Sequence, residues 1–105
     1  MKAHELLNSP QAWCQHSPAK DACGNKRYAS DPRAVSWCAL AAIHKAYAPS
    51  QREPAMERLL RALDASDWAL ERMSAADKAC CIMEWNDERQ RSFREVRATL
   101  QQAQV

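Results

Sequence analysis

The chain has 105 residues, enough for one domain, and 15 Lys and Arg against 13 Asp and Glu leave a net charge of +2. That balance excludes a strongly cationic nucleic-acid coat and a charged disordered tail. Val, Leu, Ile and Phe supply only 14 residues, so the apolar volume must come from four Trp, four Met, two Tyr, five Cys and twenty Ala, while one Gly and one Thr exclude a sheet protein and favour a mainly α fold.

Residues 2–9 read as a short helix with Leu6 and Leu7 as its apolar contacts and Pro10 beyond its end. Residues 11–30 read as irregular. Asp21-Ala22-Cys23-Gly24-Asn25 has turn composition and holds the only glycine, so a small two-stranded hairpin or an ordered loop is expected there. Ser30-Asp31-Pro32 reads as an N-cap followed by proline at the first helical position, opening a helix over 31–47. Val35, Cys38, Ala39, Ala42, Ile43 and Ala46 would share one face of it, making it the most buried helix.

Pro49 and Pro54 bracket a polar loop, after which Met56, Leu59, Leu60 and Leu63 form the stripe of a helix over 55–64. A short helical piece follows around 67–73, with Trp68, Leu70 and Met73. Ser74-Ala75-Ala76-Asp77 resembles a capping box and opens a helix to about Trp85, where Asn86-Asp87 ends it. Ser92-Phe93-Arg94-Glu95 is a full capping box and opens the last helix, to about 103, with Phe93, Val96 and Leu100 inward. The expected architecture is a single helical domain over 1–105, a compact bundle of four to six short helices with one non-helical excursion.

No apolar run is long enough to span a bilayer, and Met1-Lys2-Ala3-His4-Glu5 leads into no secretory h-region. Five cysteines, two of them adjacent, suit reduced thiols better than a disulfide framework, so a cytoplasmic protein without a membrane is expected.

Four constellations could carry chemistry. Cys38 and His44 would lie roughly 120° apart around one helix and about 9 Å along it, too far for a nucleophile–base pair, although His16 or His4 could approach through the fold. The competing expectation for Cys38 is a small buried hydrophobe. Cys14-x-His16 with Cys23 fits no standard zinc spacing, and a fourth ligand would have to be Cys80, Cys81 or His4, so no metal or cofactor is expected. Arg91, Arg94 and Arg97 follow one flank of the last helix with Arg89 before them, a stripe able to meet an acidic or phosphate-lined surface. Seven acidic against six basic side chains over 67–105 argue against direct DNA binding by that helix. Trp85-Asn86-Asp87 combines a core indole with two residues suited to capping.

The order Trp13…Asp21-x-x-Gly24…Asp31-Pro32-x-Ala34-Val35-x-Trp37-Cys38-Ala39…Trp85-Asn86-Asp87…Ser92-x-x-Glu95-Val96 resembles a domain-of-unknown-function family of short bacterial and phage proteins with WCA and WND motifs. Ala41 stands where that family usually has glycine, and Cys14-Gln15-His16 where it commonly has small residues. The resemblance implies a shared fold and transfers no catalytic residue. The family's occurrence in phage genomes implies an accessory, partner-binding role.

The function expected from all this is a non-catalytic protein-interaction module, with Arg89, Arg91, Arg94 and Arg97 as contact groups. A phage or mobile-element product that binds a host complex stoichiometrically is one instance. The rivals are a small thiol enzyme using Cys38 and a weak DNA-binding module using the last helix. The oligomeric state is open.

Overall fold

In the computed structural model, which describes residues 1–105, helices form where a cap or a proline precedes an apolar stripe. The chain order is α1 (Ala3–Leu6), a single 3-10 turn (Pro10–Ala12), β1 (Ala19–Lys20), β2 (Lys26–Arg27), β3 (Ser36–Trp37), α2 (Ala39–Ala46), α3 (Pro49–Ala62), α4 (Asp67–Glu71), α5 (Ala75–Asp87) and α6 (Phe93–Gln102). Both capping boxes form. Ser74 Oγ accepts from Asp77 N–H at 3.0 Å and Asp77 Oδ2 from Ser74 N–H at 3.1 Å. Ser92 and Glu95 make the same reciprocal pair at the start of α6. Each cap satisfies two backbone donors that a helix start leaves unpaired, which is worth about 1 kcal/mol apiece.

The core gathers Ile43 of α2, Leu59 and Leu60 of α3, Leu70 of α4, Ile82 of α5, and Val96 and Leu100 of α6, with Ala3 and Leu7 of the N-terminal turn against them. Alanines at 39, 41 and 42 are buried and let α1, α3 and α5 approach α2 closely. Lys78 is the one buried cation. Its Nζ donates to Glu53 Oε1 at 2.7 Å and stands 3.7 Å from Glu57, joining α5 to α3. No helix is long and apolar enough to cross a membrane.

The expected helix over 31–47 is wrong in its first half. Asp31-Pro32-Arg33-Ala34 is instead a reverse turn, closed by Ala34 N–H to Asp31 C=O at 3.0 Å. Asp at the first turn position and Pro at the second are favoured for the same reasons as an N-cap and its following proline, so the local signal fits both. Strand pairing decides. Val35 N–H donates to Lys20 C=O at 2.9 Å, and Ser36 and Trp37 pair antiparallel with Lys20 and Ala19. Val35 therefore stands exposed rather than on the helical face, and α2 starts only at Ala39.

The expected hairpin exists and has a third strand, giving a small antiparallel sheet of order β2-β1-β3. Its turn is built by Asp21, whose Oδ1 accepts from Cys23 and Asn25 N–H and whose Oδ2 meets Arg27. Gly24 supplies the positive φ of 83° this turn needs. The helix expected from 55 begins six residues earlier, at Pro49, and carries Pro54 inside it. Pro54 has no N–H to give, so the helix forgoes the bond to Ser50 C=O there.

Candidate functional site

Asn86, fully buried at the end of α5, is the junction of the molecule. Its Oδ1 accepts from Trp13 Nε1–H at 2.7 Å and from Ala39 N–H, the first residue of α2, at 2.9 Å. Its Nδ2 donates to Cys14 C=O at 3.1 Å and to Asp87 Oδ1 at 2.9 Å. All four hydrogen-bonding positions of the amide are thereby filled. Gln15 Nε2 adds a bond to Asn86 C=O at 2.9 Å, and His16 N–H donates to Asp87 Oδ1 at 2.9 Å. The Trp-Asn-Asp segment thus clips the loop over 13–16 to the ends of two helices. His16 is held with φ 63°, a left-handed conformation that costs a non-glycine residue about 1–2 kcal/mol and that the Asp87 bond helps to fix.

Beside this junction lies a half-open cleft of about 440 Å³. Leu40, Ala41, Met83 and Pro18 give it an apolar lining, and Cys38, His16, His44 and Asp87 bring polar groups to it. An apolar concavity with a few convergent polar groups is the usual form of a binding site.

Cys38 sits there as the N-cap of α2, not inside a helix. Its Sγ accepts from Ala41 N–H at 3.4 Å. It is 5% exposed, and burial pushes its thiol up to about 11, an effect the Ala41 N–H only partly offsets. The sulfur forms no hydrogen bond with a ring nitrogen; its one hydrogen-bond partner is the helix backbone. At neutral pH the group is a thiol, which is a poor nucleophile. Burial and then the nearby Arg52 hold the His44 imidazole below its ordinary pKa.

The other expected site residues are dispersed. Cys14 is buried, with Sγ–H on Ser17 C=O at 3.6 Å, whereas Cys23 is exposed on the hairpin turn. No group of three or more His, Cys, Asp and Glu is arranged to hold a metal ion. Arg91 is half-buried: its guanidinium pairs with Glu88 and Glu95, donates to Trp85 C=O at 3.0 Å and lies 5.2 Å from the Trp85 ring centre. Arg97 reaches back to His4 C=O at 3.4 Å. Arg89 and Arg94 are exposed and make no ion pair. The stripe is therefore two structural cations alternating with two surface ones. Sequence spacing alone did not reveal the cleft, because its walls come from the loop at 16–18, Ala29, α2 and α5.

A family model described as a family of unknown function (DUF6197) matches residues 1–104. No curated protein and no solved structure matches the chain.

Proposed function

For this chain, which belongs to the DUF6197 family of unknown function, we propose a non-catalytic protein-interaction module that receives its partner in the cleft beside the Trp-Asn-Asp clip. The observation that carries this reading is the double character of that cleft. Its lining is largely apolar, and its one thiol is spent as a helix cap. A thiol enzyme needs a nucleophile activated by a base within hydrogen-bond reach. Cys38 instead has a raised pKa and a backbone partner. Within the arginine stripe, Arg89 and Arg94 are exposed cations that a partner can meet outside the cleft without first breaking an ion pair. In its fuller form the proposal is a cytoplasmic, phage or mobile-element accessory protein that occupies a surface of a larger host complex in stoichiometric amounts.

The test is affinity capture by the tagged chain, compared across three variants of unchanged circular dichroism. Met83→Asp, which places a charge on the exposed rim of the cleft, should abolish capture. Arg94→Glu should weaken it, and Cys38→Ala should leave it intact. A partner retained by Met83→Asp, or lost only in Cys38→Ala, would overturn the reading.

A further inference from the structure

The cleft shares lining residues with two neighbouring basins. His44 and Ala29 also line a basin of about 390 Å³ formed with Ser30, Lys45 and Arg52, and no carboxylate lines it. His16, Ser17 and Pro18 also line a basin of about 580 Å³ that includes Lys26, Arg27, Tyr28, Asp31 and Arg33. Together they make one furrow, a largely apolar cleft joined to two basins that carry cations.

The charge bookkeeping is asymmetric. Arg27 is neutralised by Asp21 and Arg33 by Asp31. Lys26 and Lys45 are exposed and have no ion pair. Arg52 gives its N–H groups to Tyr47 C=O and His44 C=O, at 3.2 and 3.1 Å, which are neutral acceptors, so its charge is uncompensated. Of the two carboxylates along the furrow, Asp31 is held by Arg33 and Asp87 by His16 N–H and the Asn86 amide. An occupant therefore meets unbalanced positive charge in both adjoining basins and an apolar socket in the cleft.

We infer that this furrow takes an acidic segment of a protein partner, with one apolar side chain seated between Leu40 and Met83 and carboxylates reaching Lys26 in one adjoining basin and Lys45 with Arg52 in the other. The inference rests on the interaction reading above and specifies the chemistry of its partner. A single-stranded nucleic acid fits less well. It would want several stacking rings along its path, and Tyr28 is the one exposed aromatic lining the furrow. Rim charges of this kind set specificity and encounter rate, and the apolar anchor sets the lifetime of the complex.

The experiment is amide chemical-shift titration of the full chain with four synthetic probes. These are degenerate peptides with a Leu or Phe centre and Asp/Glu flanks, the same centre with Lys flanks, a Ser centre with Asp/Glu flanks, and oligothymidine. The first set should shift the amides of Leu40, His44 and Met83 together with Lys26 and Lys45. Its affinity should fall by about tenfold or more when Lys26→Glu and Lys45→Glu are combined, and should fall as salt is raised. Both lysines are exposed, so the double variant keeps the fold. Equal binding of the Lys-flanked set would overturn the acidic partner and leave the cleft reading standing. Tighter binding of oligothymidine at the same amides would overturn the peptide occupant. Shifts confined to other surfaces with every probe would overturn both the inference and the cleft reading.

Discussion

Two parts of this chain are held together by different physics. From Ala39 onward, α2, α3, α5 and α6 share a continuous apolar core in which Ile43, Leu59, Ile82, Val96 and Leu100 are fully buried. Between Trp13 and Cys38 the backbone makes three two-residue strands, and its order depends on a few polar clips: Asp21 in the hairpin turn, Asp31 in the reverse turn, and Asn86 reaching in from α5. Apolar packing is distributed and tolerant of small losses. A buried amide with all its bonds filled is not, because losing it strands every partner at once. The cleft lies along the seam between the two parts, so the clip that fixes the N-terminal loop also fixes one wall of the proposed binding site.

The sharpest way to break this contrast is Asn86→Ala. It leaves Trp13 Nε1–H, Ala39 N–H and Cys14 C=O without their partner, and at about 1 kcal/mol or more for each stranded group the loss should be at least about 3 kcal/mol. Hydrogen exchange should show residues 13–20 and the first turn of α2 opening first. Leu59→Ala, in the centre of α3, should cost about 2–4 kcal/mol. Its signature should differ: chemical denaturation should show one global loss, with no preferential opening of the N-terminal part. If both variants gave the same exchange pattern, the two-part description would fail.

Acid offers a smaller and more local probe. The Arg33 side chain and backbone N–H hold the Asp31 carboxyl down at about 2 against 3.8 in a free chain, and hydrogen bonds to Asn25, Arg27 and Cys23 lower Asp21 as well. A carboxylate with a depressed folded pKa stabilises above its unfolded value and ceases to do so as pH falls through the folded one. Between pH 3.8 and about 2 the turn at 31–34 should therefore lose amide protection, and the turn at 21–25 should lose its own somewhere below pH 3.8, while α3 and α5 keep theirs. Glu95, lowered chiefly by Arg91, should release the first turn of α6 as it protonates, with Val96 and Leu100 keeping the rest of that helix docked. Loss of α3 and α5 protection ahead of the two turns would contradict the assignment of the clips to one region.

The sequence was most legible where a helix announces itself twice, by cap and by stripe. Ser74 with Asp77 and Ser92 with Glu95 located α5 and α6, and Leu59, Leu60 and Leu63 located α3 although not its start at Pro49. It was least legible over 31–38, where Asp-Pro serves a turn as well as a helix start and the outcome rests on pairing with Lys20, eleven or more residues away. Strands made of Ala-Lys, Lys-Arg and Ser-Trp carry no alternation that could announce a sheet. Asn86 was readable as a capping residue, but its partners other than Asp87 lie 47 to 73 positions away, which no local pattern encodes. The arginine stripe was readable as spacing. Which of its members are spent on Trp85, Glu88, Glu95 and His4 required the packed structure.

Whether the proposed site binds without reacting can be read from thiol accessibility in the folded protein. Alkylation at neutral pH followed by mass mapping should mark the exposed Cys23, Cys80 and Cys81. Cys80 should be the slower of the adjacent pair, because the Glu84 carboxylate raises its pKa. Cys14 and Cys38 should react only on unfolding. Cys38 labelled first, in protein that keeps its circular dichroism, would contradict the account and make the cleft a thiol active site.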